Sequence, residues 1–212
     1  SIAVAVGVVA EKIRHNKSLD ELVLVSLARA GTPIGILIKR YYEQKYNKSI
    51  PHYSISIIRN RGIDETALLF ILNKHPKSKI QFIDGWTGKG AITKELTAAC
   101  EVFNIKYGTS IDDSLAVLAD PGYCADIYGT RDDFLIPSAC LNSTVSGLVS
   151  RTVLNKEYVK AGDFHGAKYY EQLAHIDVSD YYISEVVKHY DSIHDEVMER
   201  LEWEVQSPNW NG

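Results

Sequence analysis

The sequence is short of cysteine, of net positive charge and of long apolar runs, and each shortage excludes a class of protein. Its three cysteines, Cys100, Cys124 and Cys140, have neither a CxxC pattern nor the spacing of a zinc site. Such a sparse, odd-numbered set is typical of a reducing cytosol rather than of a disulfide scaffold, so we expect a cytoplasmic protein. No apolar run reaches the length of a membrane span, and the net charge of −4 disfavours a general nucleic-acid or membrane surface.

The composition is close to that of an average globular protein. The chain has 212 residues, of which 45% are apolar and 24% are charged, and this suits one domain with a sizeable core. A helical pattern opens at Ile2, directly after a first residue that is serine and not methionine. We therefore expect a fragment of a longer protein, cut at one or both ends.

Short apolar runs alternate with helical patterns along most of the chain. The runs at 22–27, 53–58, 80–83, 115–119 and 134–137 have the composition or the alternation of β-strands. Because helical patterns separate most of these strands, the sequence predicts an α/β fold. We expect a doubly wound, mainly parallel sheet of about five strands.

The helical segments have recognisable start signals. Thr32 as N-cap and Pro33 as first residue predict the start of one helix, and Asp64 predicts the N-cap of another. A charged segment with one apolar face predicts a helix over 177–205. We therefore assign residues 1–170 to the α/β domain and residues 171–212 to a C-terminal helical extension that leads towards a missing domain.

The stretch Asp84-Gly85-Trp86-Thr87-Gly88-Lys89-Gly90 joins a predicted strand to a predicted helix. Glycines let the backbone turn with positive φ and approach a ligand closely. The first N–H groups of a helix have no partner within it and bind anions readily. Thr87 adds a hydroxyl, Lys89 a positive charge and Asp84 a carboxylate. The stretch therefore predicts a phosphate site with an acid beside it, although an ordinary glycine-rich turn has the same composition.

Two other predicted strands end in turns that carry glycine and charge. The first runs into Ala28-Arg29-Ala30-Gly31, and the second runs into a turn with Arg59 and Arg61. Paired arginines hold phosphate or carboxylate groups in some proteins and lie in a solvated loop in others. Because the carboxyl ends of parallel strands lie along one edge of a sheet, we expect all three turns to converge on one ligand.

The stretch 84–90 is neither a Walker P-loop nor a GxGxxG dinucleotide site, because its glycines and lysine are spaced differently. It is similar to the phosphoribosyl-diphosphate loop of type I phosphoribosyltransferases, and 28–31 resembles their diphosphate loop. A closer resemblance is to the phosphoribosyltransferase-like family of bacterial tellurite-resistance and stress operons, also labelled cysteine protease StiP, N-terminal domain. The segments that carry this resemblance are 26–35, 52–59, 61–64, 82–92 and 137–142.

The resemblance implies a type I phosphoribosyltransferase fold over roughly residues 20–170. It implies transfer of a phosphoribosyl group, from phosphoribosyl diphosphate or a related sugar phosphate, to an unidentified acceptor. Diphosphate leaves and carries Mg²⁺, so no metal ligand from the protein is expected. RNA would be bound only through a Pelota-type domain beyond the C-terminal end of this chain. The oligomeric state stays open.

The same resemblance assigns roles to individual residues. The candidate catalytic residues are Asp84, which would bind the ribose, and three arginines for the diphosphate, Arg29, Arg59 and Arg61. The other candidate substrate-binding residues are Ala28, Ala30, Gly31, Gly85, Trp86, Thr87, Gly88, Lys89, Gly90, Asp120, Ser138 and Asn142, the last three on the acceptor side. The superfamily has two adjacent acids where this chain has Asp84 followed by Gly85, so one ribose contact is absent or comes from elsewhere.

Two other functions stay open at this point. One is a cysteine hydrolase that uses Cys140 as nucleophile and His165 or His175 as its base. A free cysteine at the end of an apolar strand is, however, often only a packing residue. The other is a non-catalytic sensor that binds a nucleotide or sugar phosphate without turnover.

Overall fold

The computed structural model describes residues 1–133 and 149–206, which form a six-stranded sheet between two layers of helices. The strands are β1 (Leu22–Ala28), β2 (His52–Ile58), β3 (Gly62–Ile63), β4 (Lys79–Trp86), β5 (Leu115–Ala119) and β6 (Ile127–Thr130). The helices are α1 (Ile2–Asn16), α2 (Gly31–Tyr46), α3 (Glu65–Lys74), α4 (Ala91–Tyr107), α5 (Ser179–Val187) and α6 (His194–Gln206). The predicted doubly wound α/β class is confirmed.

The strand order is β3-β2-β1-β4-β5-β6, and every neighbouring pair except β2 and β3 is parallel. β1 lies between β2 and β4, with Ser26 opposite Ser54 on one side and Ile83 on the other. Helices cover both faces of β1, which explains why its sequence is a continuous apolar run rather than an alternating one. The carboxyl ends of the parallel strands therefore lie along one edge of the sheet.

The two faces of the sheet bury separate apolar cores. Leu24 faces the core beneath α1 and α2, whereas the next residue, Val25, faces the core beneath α3 and α4. This alternation follows from the pleat of a strand, in which successive side chains point to opposite faces. No helix in the described part of the chain is both long and apolar enough to cross a bilayer.

The C-terminal helices are buried in the first of these cores. Val186 of α5 and Val197 of α6 are among its buried residues, and the hydroxyl of Tyr190 donates to the carbonyl oxygen of Leu37 at 2.9 Å. The single helix predicted over 177–205 is wrong, because a 3₁₀ turn at Tyr190–Ser192 separates α5 from α6. The break reorients the chain so that α5 contacts α2 while α6 contacts α1.

Two further predictions about elements differ from the structure, and a third falls outside it. The sheet has six strands instead of about five, because the short β3 and β6 carry too few residues for a clear pattern. The strand predicted at 134–137 lies outside the described residues. Helix α2 begins at Gly31 with Ala30 as its N-cap. The sequence predicted Thr32 as the N-cap and Pro33 as the first residue, so the helix starts two residues earlier than expected. Proline is tolerated there because the first helical N–H groups have no helical partner to lose.

Candidate functional site

The loop between β4 and α4 offers backbone donors at the carboxyl edge of the sheet. Gly90 is the N-cap of α4 and has a φ of 73°, a conformation that glycine adopts without steric cost. Within residues 1–133 and 149–206, the N–H groups of Gly88, Lys89 and Gly90 have no hydrogen-bond partner. The Lys89 side chain is exposed beside them. This arrangement, at the positive end of a helix dipole, favours an anion.

Thr87 does not contribute to this anion site as expected. Its N–H donates to the carbonyl oxygen of Ala119 at 3.1 Å, and its hydroxyl donates to Asp120 Oδ1. Both donors are therefore turned into the protein, and the side chain is buried. Thr87 therefore connects the start of the loop to the end of β5. The N–H groups that have no partner among the described residues begin at Gly88.

Asp120 is the residue to which this loop is fastened, and it is fully buried. Its carboxylate forms an ion pair with Arg131 and also accepts the N–H groups of Cys124, at 2.9 Å, and Ala125, at 3.2 Å. The expected acceptor-binding role does not suit a carboxylate enclosed in this way. Asp120 instead has a structural role, and its main partner, Arg131, was missed because no sequence pattern joins the two.

A second chain segment presses against the loop from the side of β5. A Cβ placed on Gly122 would lie 1.8 Å from the carbonyl oxygen of Gly88, so only glycine fits there. A Cβ on Gly90 would lie 2.9 Å from Cys124 Sγ. Trp86 is 44% exposed. A Cβ placed on Gly88 would lie 2.8 Å from the indole ring of Trp86. The loop is therefore held in place by close contacts with glycine backbone.

The turn after β1 lies directly against β4. A Cβ on Gly31 would lie 2.4 Å from the carbonyl oxygen of Ile83 and 3.1 Å from Cα of Asp84. The peptide bond between Ala28 and Arg29 is cis. The predicted convergence of the turns at 28–31 and 84–90 is therefore present in the structure.

The guanidinium groups of Arg29 and Arg61 both contact the chain that follows residue 148. Arg29 Nη1 donates to the carbonyl oxygen of Val149 at 3.1 Å. Arg61 Nη1 makes a longer contact of 3.4 Å with the carbonyl oxygen of Leu154. Residues 149–170, which we call the covering segment, therefore lie over the turns that follow β1 and β2.

The turn with Arg59 and Arg61 connects β2 to the short antiparallel strand β3. Glu95 of α4 accepts the N–H of Asn60 at 2.9 Å and that of Gly62 at 3.0 Å, which ties this turn to the helix that begins at the anion site. Both arginines are exposed. Sequence reasoning placed the two arginines correctly at the sheet edge but missed Glu95, which is an ordinary charged residue on a helix surface.

Asp84 lies inside β4, two residues before its end, and is partly buried. Its Oδ1 accepts the N–H of Gly85 at 2.8 Å. Burial raises the pKa of this carboxyl to about 7 and outweighs the hydrogen bond, which lowers the pKa. Asp84 therefore changes its protonation near neutral pH, as groups in functional sites often do.

We expect Asp84→Asn to stabilise the free protein at alkaline pH. Because its pKa rises from 3.8 to about 7 on folding, the native state holds more protons than the unfolded state between these values. Stability then falls as pH rises through this window, and asparagine removes the loss. The gain at pH 7 compared with pH 5 should be about 2 kcal/mol, measured by urea denaturation. If the variant and the wild type differed in free energy of unfolding by the same amount at both pH values, the raised pKa of Asp84 would be contradicted.

The described cysteines are poor candidates for a nucleophile. Cys100 is buried, and this burial, with Asp113 and Asp112 nearby, raises the pKa of its thiol to about 12. Cys124 Sγ lies 2.9 Å from the carbonyl oxygen of Gly122. No hydrogen bond joins a cysteine to a histidine in the two described ranges.

The remaining predicted residues do not form a hydrolase site in the described structure. Cys140, Ser138 and Asn142 lie outside the described residues. His175 is exposed, and His165 contacts Ser56 instead of a cysteine. Among residues 1–133 and 149–206, no group of three or more His, Cys, Asp or Glu side chains could hold a metal ion.

Comparison with protein families gives one match over most of the chain. The model of the family described as "Tellurite-like stress resistance cysteine protease StiP" matches residues 1–187. "Cysteine protease StiP" of Acinetobacter baylyi is 39% identical over 175 residues, which are 79% of this chain and 45% of that protein. The chain therefore spans less than half the length of this curated relative.

Two solved structures show a weaker likeness. One is the HGPRT-ase of Leishmania tarentolae in complex with GMP, with a TM-score of 0.42, 15% identity, and coverage of 61% of this chain and 75% of that one. The other is a hypothetical protein of Neisseria gonorrhoeae with bound ppGpp, with a TM-score of 0.36, 15% identity, and coverage of 62% and 77%. Likenesses of this size carry no argument about function.

Proposed function

The chain belongs to the StiP family of tellurite-like stress resistance cysteine proteases, and we propose that it binds phosphoribosyl diphosphate or a related sugar phosphate. The observation that carries this proposal is that the N–H groups of Gly88, Lys89 and Gly90 have no partner among the described residues and lie close in the chain to a carboxyl with a raised pKa. Three backbone donors, a lysine and a helix N-terminus suit a phosphate monoester. A carboxyl beside them suits the hydroxyls of the sugar.

The turn after β1 supplies the second half of the proposed site. Gly31 brings this turn against Cα of Asp84, so that a ligand bound at Asp84 also reaches the backbone of Ala28–Gly31. The turn with Arg59 and Arg61 is fixed to α4 by Glu95, and its exposed guanidinium groups suit the outer oxygens of a diphosphate. Mg²⁺ would arrive bound mostly to the oxygens of the diphosphate and to water.

The proposed reaction is a displacement at the anomeric carbon of the ribose. A bond forms between the acceptor and this carbon, the bond to the diphosphate oxygen breaks, and the electron pair leaves with the diphosphate. The protein contributes orientation and charge stabilisation: amides and Lys89 hold the 5′-phosphate, Asp84 holds the ribose, and arginines meet the leaving group. The proton released by the acceptor passes to solvent or to the departing diphosphate.

We expect the double variant Asp84→Asn, Lys89→Ala to lose sugar-phosphate binding, with an affinity for phosphoribosyl diphosphate at least about 100-fold lower. The reason is that it removes both the charged donor for the phosphate and the carboxylate charge that would hold the ribose hydroxyls. Isothermal titration calorimetry with phosphoribosyl diphosphate and Mg²⁺ measures the change. Lys94→Ala is the matched control, since Lys94 is an exposed lysine of α4, the helix that follows the loop. Unchanged affinity in the double variant would overturn the proposal.

A cysteine hydrolase is the second candidate function, because the family description and the relative's name both call the protein a cysteine protease. Neither described cysteine is suited to this role, so the hydrolase would depend on Cys140 or on a part of the longer protein. Consumption of phosphoribosyl diphosphate that survives Cys140→Ala would support transfer, and peptide cleavage that is lost in that variant would support hydrolysis. Stabilisation by the sugar phosphate without either reaction would indicate a sensor.

A further inference from the structure

A cavity lies on the other side of β1 from the loop between β4 and α4. It has a volume of about 640 Å³ and is enclosed by β2, α2, α3, α5 and the covering segment. This volume falls in the range of small-molecule sites in proteins. Its rim includes Ala28 and Arg29, but none of its described lining residues comes from 84–90. The cavity is therefore a separate place from the proposed sugar-phosphate site.

One wall of the cavity is aromatic. Phe70 and Phe164 pack edge to face with their ring centroids 6.0 Å apart, and Tyr53 packs against Phe70 at 6.3 Å. Phe70 is 46% exposed and Phe164 is 54% exposed, although both belong to the largest apolar side chains of the protein. Exposed aromatic faces that line a concave site favour a ligand with a flat ring of its own.

A chain of three polar side chains reaches the same cavity. Thr152 Oγ1 donates to Ser56 Oγ at 2.9 Å, and Ser56 Oγ lies 2.9 Å from His165 Nδ1. The position of His165 is fixed independently, because its backbone N–H donates to Asp64 Oδ2 at 2.8 Å. Asp64 in turn accepts the N–H of Ala67 and caps α3. The imidazole is thus anchored at the junction of β2, α3 and the covering segment.

The hydrogen bonds of Ser56 bear on the tautomer of His165. Ser56 accepts a bond from Thr152, and if it gives its own proton to Nδ1, the proton of a neutral ring lies on Nε2. Within the part of the chain that the structure describes, Nε2 has no hydrogen-bond partner. The cavity therefore combines an aromatic wall with an imidazole that is held by Ser56.

We propose that this cavity binds a neutral, planar heteroaromatic molecule of one or two rings, with a ring nitrogen or carbonyl that accepts a hydrogen bond from His165 Nε2. The charged lining residues, Arg29, Arg40, Asp64 and Asp180, contain equal numbers of each sign, which favours a neutral ligand over an ion. The ring would lie against Phe70 and Phe164. This site does not depend on the proposed sugar-phosphate site, with which it shares only the rim at Ala28 and Arg29.

The test compares quinoline with naphthalene, two molecules of the same shape that differ in one acceptor nitrogen. At pH 8, where both are neutral, we expect quinoline to bind about tenfold more tightly to the wild type, since the extra hydrogen bond is the only difference. His165→Phe should remove this preference, and His175→Phe, which changes an exposed histidine outside the cavity, should leave it intact. Titrations followed by the amide NMR signals of Ala67 and Ala167 measure both affinities at the site.

A second measurement observes the imidazole of His165 directly. The ¹⁵N NMR signals of the His165 ring should show the neutral tautomer with the proton on Nε2, and Ser56→Ala should shift the ring towards a mixture of tautomers. The inference is overturned if the wild type binds the two molecules equally or binds neither. It is also overturned if the preference survives in His165→Phe, or if the proton is found on Nδ1.

Discussion

Asp120→Ala should lower the free energy of unfolding by about 3 kcal/mol, the largest effect that we expect from a single side chain. The carboxylate is fully buried, and its loss leaves Arg131 without its ion-pair partner. The hydroxyl of Thr87 and the N–H of Cys124 lose their acceptor at the same time. Buried donors without partners are costly because they have also lost their water. Urea denaturation monitored by circular dichroism measures the change.

The matched control is Asp132→Ala, which removes an exposed carboxylate two residues after the end of β6. Its effect should stay within about 0.5 kcal/mol, as is usual for surface positions. Asp120→Asn should fall between the two, since it keeps an acceptor and loses the charge. A loss for Asp120→Ala as small as that of the control would show that Arg131 and the loop after β4 are held by other contacts.

Gly122→Ala should be nearly as damaging, at about 3 kcal/mol, and should also weaken sugar-phosphate binding at least about tenfold. The new methyl group would lie 1.8 Å from the carbonyl oxygen of Gly88. A backbone oxygen cannot rotate away as a flexible side chain can, so the whole loop has to move. Since the proposed phosphate donors are the N–H groups of that loop, stability and affinity should fall together.

Gly108→Ala separates this clash from the general cost of replacing glycine. Gly108 has a φ of 63° at the end of α4, and a Cβ there meets no atom within 4 Å. Its replacement should cost about 1 kcal/mol through backbone strain alone and leave the affinity for phosphoribosyl diphosphate unchanged. If Gly122→Ala is destabilised but binds the sugar phosphate normally, the proposed donors are not the ones that hold the ligand.

Asp120→Ala and Gly122→Ala both test how the loop after β4 is held in position. Asp120 holds the first residue of the loop through the hydroxyl of Thr87, and Gly122 lets the following chain pass close to Gly88. The loop is therefore positioned by the segment after β5 as much as by β4 and α4. A site that depends on such packing should lose affinity through residues that never touch the ligand.

Much of the framework could be predicted from sequence periodicity. The apolar run of β1 and the helical pattern of α4 are long enough to specify their elements, and alternating strands and helices then impose a parallel sheet with its carboxyl ends together. The glycine and charge at 28–31, 59–64 and 84–90 could therefore be placed on one edge. Strands as short as β3 and β6, and the break between α5 and α6, carry no comparable local signal.

By itself, the sequence determined the fold class, the family and the edge of the sheet at which the proposed site lies, because these follow from patterns within a few neighbouring residues. Only the tertiary structure decided which groups at that edge remain available to a ligand. Thr87 was predicted to hold the phosphate beside Gly88 and Lys89, and Asp120 was predicted on the acceptor side, yet Thr87 and Asp120 bind each other, 33 positions apart in the chain. A hydrogen bond satisfied by a distant partner leaves no trace in the local sequence, and it is these distant partners that separate a structural donor from a functional one.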